Sequence, residues 1–381
     1  MVVRVEIRAE LIAWARERSG VAPDDLSRRF PKLDEWESGD AAPTLKQLEH
    51  FAQATHTPVG FFFLPEPPEV HVPLPDLRTI GDDPIRRPSP DLLDTVFQCQ
   101  QRQEWYRDYQ EANRADAVSF VGSLSLTTDI VEGAASIRRA LNFDVAARGP
   151  TWTAALRHLA EQAEELGVLV MVNGVVASNT HRRLDPQEFR GFALVDDLAP
   201  LVFVNGADTR AAQIFTLAHE LAHIWLGESA LSDAEVAGIP TNAIERWCNQ
   251  VAAELLVPLE AMREQFTDKQ SLTDQLDRLA RAFKVSTLVV LRRVHDAGHL
   301  TGEEYRSAYR DELARVLAIL EQGAGGGNFY STQPVRVSKR FSRAVIASTL
   351  EGQTLYRDAL QMLGFKKLST FHELGHRLGV M

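Results

Sequence analysis

Cysteine is nearly missing from this chain. Its 381 residues hold two, Cys99 and Cys248, too few for a disulfide framework, so folding must rest on a hydrophobic core. Long apolar runs are also missing. Nowhere do about 18 apolar residues follow one another, the length a membrane span needs. The opening stretch MVVRVEIRAELIAWARERSG lacks a basic region followed by an apolar core and a small-residue cleavage site. The expectation is a cytosolic protein with no membrane association. Positive charge is in deficit: 41 Lys+Arg against 52 Asp+Glu give a net charge of -11, which excludes a chain coated in basic surface for nucleic acid. No Ser-His-Asp pattern stands out, and the run GAGGG at Gly323 to Gly327 lacks the Lys-Ser/Thr of a phosphate-binding loop.

What remains is the usage of an ordinary globular chain, 45% hydrophobic and 24% charged, and long enough to divide into two or three domains. From Arg8 onward, short helices alternate with turn signals at Gly20, Gly39 and Pro43. A proline-rich connector follows from Pro65 to Pro90, then a long amphipathic segment from Asp91 to about Arg114. The β-branched stretches GVLVMV, GFALV and PLVFV between Val168 and Val204 predict three strands of a small antiparallel sheet. Helices then take over, giving an α+β, mostly α, fold. The domain boundaries expected on this basis are 1–68, 69–115, 116–266, 267–320 and 321–381.

Chemistry concentrates at His219-Glu220-Leu221-Ala222-His223. Histidines four apart on a helix share one face, where their ring nitrogens can hold one zinc ion at about 2.0–2.1 Å. Glu220 sits beside them without having to ligate. A carboxylate there can accept a proton from the water that zinc acidifies and return it to a leaving amine. A catalytic zinc needs a third protein ligand, and the downstream candidates are Asp233, Glu235, Glu245 and Glu254. Glu245 and Glu254 share a helix but lie nine residues apart, which at about 100° per residue places them on opposite faces. Only one can reach the metal, and spacing does not choose. A second HExxH, His372 to His376, lies five residues from the last residue, with no acidic helix after it. It reads as a coincidence. Cys248 and Cys99 read as small buried residues.

FTLAHELAHIWLG followed by IERWCNQVAAELLVP resembles the ImmA/IrrE family of zinc endopeptidases. The resemblance implies a zincin-like core, zinc (with manganese as a substitute ion) held by His219, His223 and Glu245, and Glu220 as the general base. Glu254 is the reserve ligand.

Residues 1–64 resemble the Xre-type helix-turn-helix, through WARERSG, DDLSRRF and EWESGDAAPTLKQLEHFAQA. The segment that should read bases is compressed into PKLDEW, and these 64 residues carry 8 Lys+Arg against 10 Asp+Glu, a weak footprint for DNA. A docking or regulatory module is the alternative. Residues 279–298, LARAFKVSTLVVLRRVHDAG, also read as helix, turn, helix, with Arg281, Lys284, Arg292 and Arg293 as candidate DNA contacts and a packing role as the alternative. The cations of RVSKRFSR, Arg336 to Arg343, read as a solvated face. Residues 277–381 carry 16 Lys+Arg and 10 Asp+Glu, so any nucleic-acid contact is expected there.

The resemblance implies a cytosolic endopeptidase that cuts a regulatory protein, a helix-turn-helix repressor or an antitoxin encoded nearby, to release transcription in a stress or phage response. Strand Leu201 to Val204 is the expected edge for an extended substrate. The competing expectation is a DNA-binding regulator or toxin-antitoxin component that uses the peptidase fold as a sensor or docking scaffold.

Overall fold

The computed structural model describes residues 4–69, 72–75, 88–232, 242–267, 269–322 and 336–381. They fall into two compact units, one of residues up to 73 together with 88–97, the other of 74–75 and everything from 98 onward.

The first unit holds α1 (Ala9–Arg18), α2 (Pro23–Arg29), α3 (Leu33–Ser38), α4 (Leu45–Ala54) and a 3-10 turn at Val59–Phe63. Each helix has a local cause. Pro23 opens α2 at a position where its missing N–H costs nothing, Gly39 ends α3 in the left-handed region, and Thr44 with Gln47 forms a reciprocal capping box at α4. Phe30, Trp36, Phe51 and Phe62 are buried together, Phe30 meeting Phe51 edge-on with centroids 5.3 Å apart. Because Leu33 and Trp36 turn inward, six-residue α3 presents Asp34, Glu35 and Ser38 to solvent.

α5 (Pro90–Ala112) leads into the second unit, which continues with α6 (Ile130–Ala140), a 3-10 turn at Val145–Ala147, α7 (Trp152–Glu165), β1 (Leu169–Asn173), β2 (Gly191–Leu194) and β3 (Leu201–Asn205). Then come α8 (Arg210–Leu226), β4 (Ala230–Ser232), α9 (Ala243–Leu256), α10 (Leu259–Gln265), α11 (Leu272–Phe283), α12 (Thr287–Asp296) and α13 (Gly302–Gln322). Three helices close the chain: α14 (Lys339–Leu350), α15 (Tyr356–Leu363) and α16 (Leu368–Leu378). No helix among the described residues is long and apolar enough to cross a membrane.

The fold is α+β and mostly helical, but the sheet corrects the expected one. Among the described residues it has four strands in the order β1-β3-β2-β4 and is mixed. β3 runs parallel to β1 with Leu169 opposite Leu201, and antiparallel to β2 with Gly191 opposite Val204. The hairpin β2–β3 folds back so that β3 enters between β2 and β1. Strand Leu201–Val204 is therefore central, and its expected role as a substrate edge falls. Every residue of β1, β2 and β3 is buried, which is why these strands read as unbroken apolar runs rather than alternating ones.

Buried polar side chains tie the helices to the sheet. Gln103 on α5 donates to the carbonyls of Leu194 and Ala199, both at 2.9 Å, fixing the β2–β3 hairpin. Arg148, 1% exposed, donates to the carbonyls of Leu255, Leu256 and Phe283 at 3.1, 2.6 and 2.8 Å. It neutralises the negative ends of α9 and α11 with one guanidinium. The RVSKRFSR cations also depart from expectation. Lys339 bonds Glu161 at 2.7 Å, while Arg340 donates to the Tyr106 hydroxyl at 2.8 Å and the Glu164 carbonyl at 3.2 Å. These side chains dock α14 on α5 and α7 instead of facing only water.

Replacing Arg148 with methionine strands three buried carbonyls, and urea denaturation is expected to report a loss of about 2–4 kcal/mol. A surface change such as Arg357→Met should stay within about 0.5 kcal/mol.

Candidate metal centre

α8 begins at Thr209, whose hydroxyl accepts from the Ala212 N–H, and ends at Gly227 in the left-handed region, φ 79°. All side chains from Gln213 to Trp225 are buried, as expected of a helix that is apolar on every face. β2, β3, α7 and α9 pack around it. α9 is capped by Asn242, which accepts from the Ile244 N–H at 2.8 Å.

Where α8 and α9 face each other, three donor atoms converge. His219 Nε2 and His223 Nε2 are 3.1 Å apart, and the Glu245 carboxylate lies 3.2 Å from each. Exposure is 0%, 0% and 3% for the three residues. A tetrahedral ion with arms of about 2.0–2.1 Å spaces its ligand atoms by about 3.3–3.4 Å, so this triangle has the dimensions of one face of such a site. The protonation states also fit. Burial lowers the His223 pKa despite its carboxylate neighbour. Burial alone would raise Glu245, but the His219 and His223 imidazoles hold it well below the usual carboxylate range. Neutral imidazole and ionised carboxylate are the forms that bind a metal. Among the described residues this is the one cluster of three or more such side chains able to hold an ion.

Glu220, 0% exposed, leaves α8 toward β2. A Cβ built on Gly191 would come within 2.9 Å of Glu220 Oε1 and 2.6 Å of Thr216 Cγ2. Gly191 is thus required for the carboxylate to lie against the strand. Sequence reasoning missed it; the available signal was a glycine opening a strand.

The other candidates separate clearly. Glu254 accepts from Arg293 in a short buried ion pair and from the Leu259 N–H at 3.3 Å, on the opposite side of α9 from the triad. Asp233 and Glu235 lie outside the described residues. In the second HExxH, His372, Glu373 and His376 are exposed, and Glu373 pairs with Arg377. Arg293, expected as a DNA contact, is corrected: it is 5% exposed and held by Glu254, Asp296 and the Val257 carbonyl. A guanidinium so enclosed cannot reach a phosphate. Arg292 pairs with Asp296 at 3.0 Å, Lys284 donates to the Arg281 carbonyl, and Arg281 is exposed.

Burial pushes the Cys248 thiol well above its ordinary range, helped by Glu245, Glu220 and Glu228. Burial raises Cys99 to about 12, partly offset by Arg102. The reactive thiolate is therefore suppressed in the fold.

Three measurements check these environments. Gly191→Ala should lower stability by about 1–3 kcal/mol in urea denaturation through overpacking. Iodoacetamide at about pH 8 should leave both cysteines unlabelled in the native chain and label both in guanidinium. As pH rises through the ordinary thiol range the unfolded chain loses these protons while the native chain keeps them, so stability should fall.

Comparison with known proteins returns two family matches. Residues 337–377 match a domain of unknown function, DUF8813, which spans α14 to α16. No curated protein matches the chain. Residues 163–295 match the peptidase family M78 model described as the IrrE N-terminal-like domain, a stretch that contains the sheet, α8 and α9 and therefore the whole His219, Glu220, His223 and Glu245 constellation, and this supports a peptidase of the ImmA/IrrE type.

Proposed function

We propose that the chain is a zinc-dependent endopeptidase, with His219, His223 and Glu245 as metal ligands and Glu220 as general base, and that it cuts a regulatory protein, a repressor or antitoxin, to control transcription. The observation that carries this reading is the 3.1–3.2 Å triangle of Nε2 and carboxylate atoms from two helices, with a further buried carboxylate one residue from the first histidine.

A bound zinc ion supplies Lewis acidity, making water acidic and polarising a peptide carbonyl. The protein's own groups do the rest. α8 fixes both imidazoles on one face, and α9 brings Glu245 across to them. Glu220, held against Gly191 in a water-poor setting, accepts a proton on its carboxylate and passes it to the departing amine. Its neighbours on β2 and α8 leave it little freedom to turn away.

The DNA-binding reading is less favoured. Of the four candidate DNA-contacting cations, Arg281, Lys284, Arg292 and Arg293, Arg293 is enclosed and Arg292 is paired, and α3 offers acidic residues to solvent. The first unit then serves to dock or regulate.

The purified protein is expected to carry about one zinc per chain by elemental analysis and to cleave a repressor or antitoxin encoded nearby. Glu220→Gln should keep the metal and slow cleavage at least about 100-fold, the usual contribution of a general base. His223→Ala should lose both metal and cleavage. A zinc-loaded Glu220→Gln protein that cuts at the wild-type rate would overturn the assignment.

A further inference from the structure

β4 is an edge strand with an occupant. On one side it pairs with β2, Ser232 opposite Gly191 and Leu231 opposite Phe192. On its other side the Leu231 N–H donates to the carbonyl of Pro75 at 3.0 Å. Leu74 and Pro75 belong to the proline-rich connector yet cluster with this unit, Leu74 half-buried and Pro75 exposed.

Three features give this contact a meaning. The first is position. Gly191 abuts Glu220, and β4 lies one strand from β2 whereas the opposite edge, β1, lies two strands away. The β4 edge is the sheet edge nearest to the catalytic carboxylate. The second is the closed state of the centre, where His219, Glu220, His223 and Glu245 are 0–3% exposed. No polypeptide reaches them without something giving way. The third is the chemistry of the occupant. A strand residue paired at an edge returns an N–H to the same partner, but proline has none to return. The connector therefore caps the Leu231 N–H without building a ladder, a contact a true strand can outcompete.

We propose that the outer edge of β4 is where an extended polypeptide substrate adds, and that Leu74–Pro75 holds this edge as a displaceable strap that keeps the peptidase latent. This rests on the peptidase reading above. The chemistry selects the substrate class: an extended segment of a flexible linker or unfolded chain, with a residue other than proline opposite Leu231, so that it both accepts from and donates to β4. Backbone pairing of this kind is indifferent to side chains, and whatever removes the strap then sets when cleavage occurs.

The test uses the full chain with zinc supplied and unfolded casein as probe. Leu74→Gly removes the half-buried anchor while keeping Pro75, which still has no N–H to return, and leaves the metal centre untouched. Hydrogen exchange of the peptide covering 228–232 is expected to quicken about tenfold, with β1 and β3 unchanged. Casein cleavage should rise by a similar factor, as the competent fraction grows. Unchanged exchange at 228–232 overturns the strap. Faster exchange with unchanged cleavage overturns latency and leaves the peptidase reading intact. Faster exchange with no cleavage by either protein, both zinc-loaded, overturns the peptidase reading and the substrate edge with it.

Discussion

Burying ionisable groups is the constraint around which this molecule is organised. α8 and α9 carry two imidazoles and three carboxylates into an interior lined with leucine, valine and alanine, where an unpaired charge is strongly penalised. Each of Glu245 and Glu254 answers with a specific partner, the first with two imidazoles and the second with a guanidinium. Helix placement follows from these pairings. α9 must face α8 to satisfy Glu245, and α12 must lie behind α9 to satisfy Glu254. The Arg148 clamp then joins the ends of α9 and α11 to the turn before α7.

Much of the centre was legible in the sequence because it is local. Histidines four apart share a helical face whatever the tertiary context, and the capped, glycine-ended run around them could only be a helix. The choice between Glu245 and Glu254 was different. Spacing placed them on opposite faces but could not say which face met α8, and only the family resemblance preferred Glu245. The physical reason lies in a guanidinium 39 residues further along that claims the other carboxylate. The same distant pairing made Arg293 illegible: a surface cation and a buried one look alike until the partner is known.

The sheet and the last helices were misjudged for related reasons. The place of β3 beside β1 depends on contacts between residues 32 apart, so three apolar runs in a row gave no sign that the third would insert between the first two. β4, only three residues long, carries no periodicity at all. The basic stretch that opens α14 looked like solvated charge. Its cations instead meet Glu161, Tyr106 and the Glu164 carbonyl, acceptors presented by two helices more than 170 residues earlier. A pattern of charge along a sequence says little about which charges have neighbours.

The Glu254–Arg293 pair has one further consequence. α9 offers a carboxylate on either face, but Glu254 lies nine residues beyond Glu245, about 13.5 Å along the axis, so no turn of the helix in place brings it to the two histidines. The buried guanidinium behind the helix instead holds that second carboxylate. It acts as a key in a slot, fixing the rotational register of α9 so that Glu245 is turned toward His219 and His223.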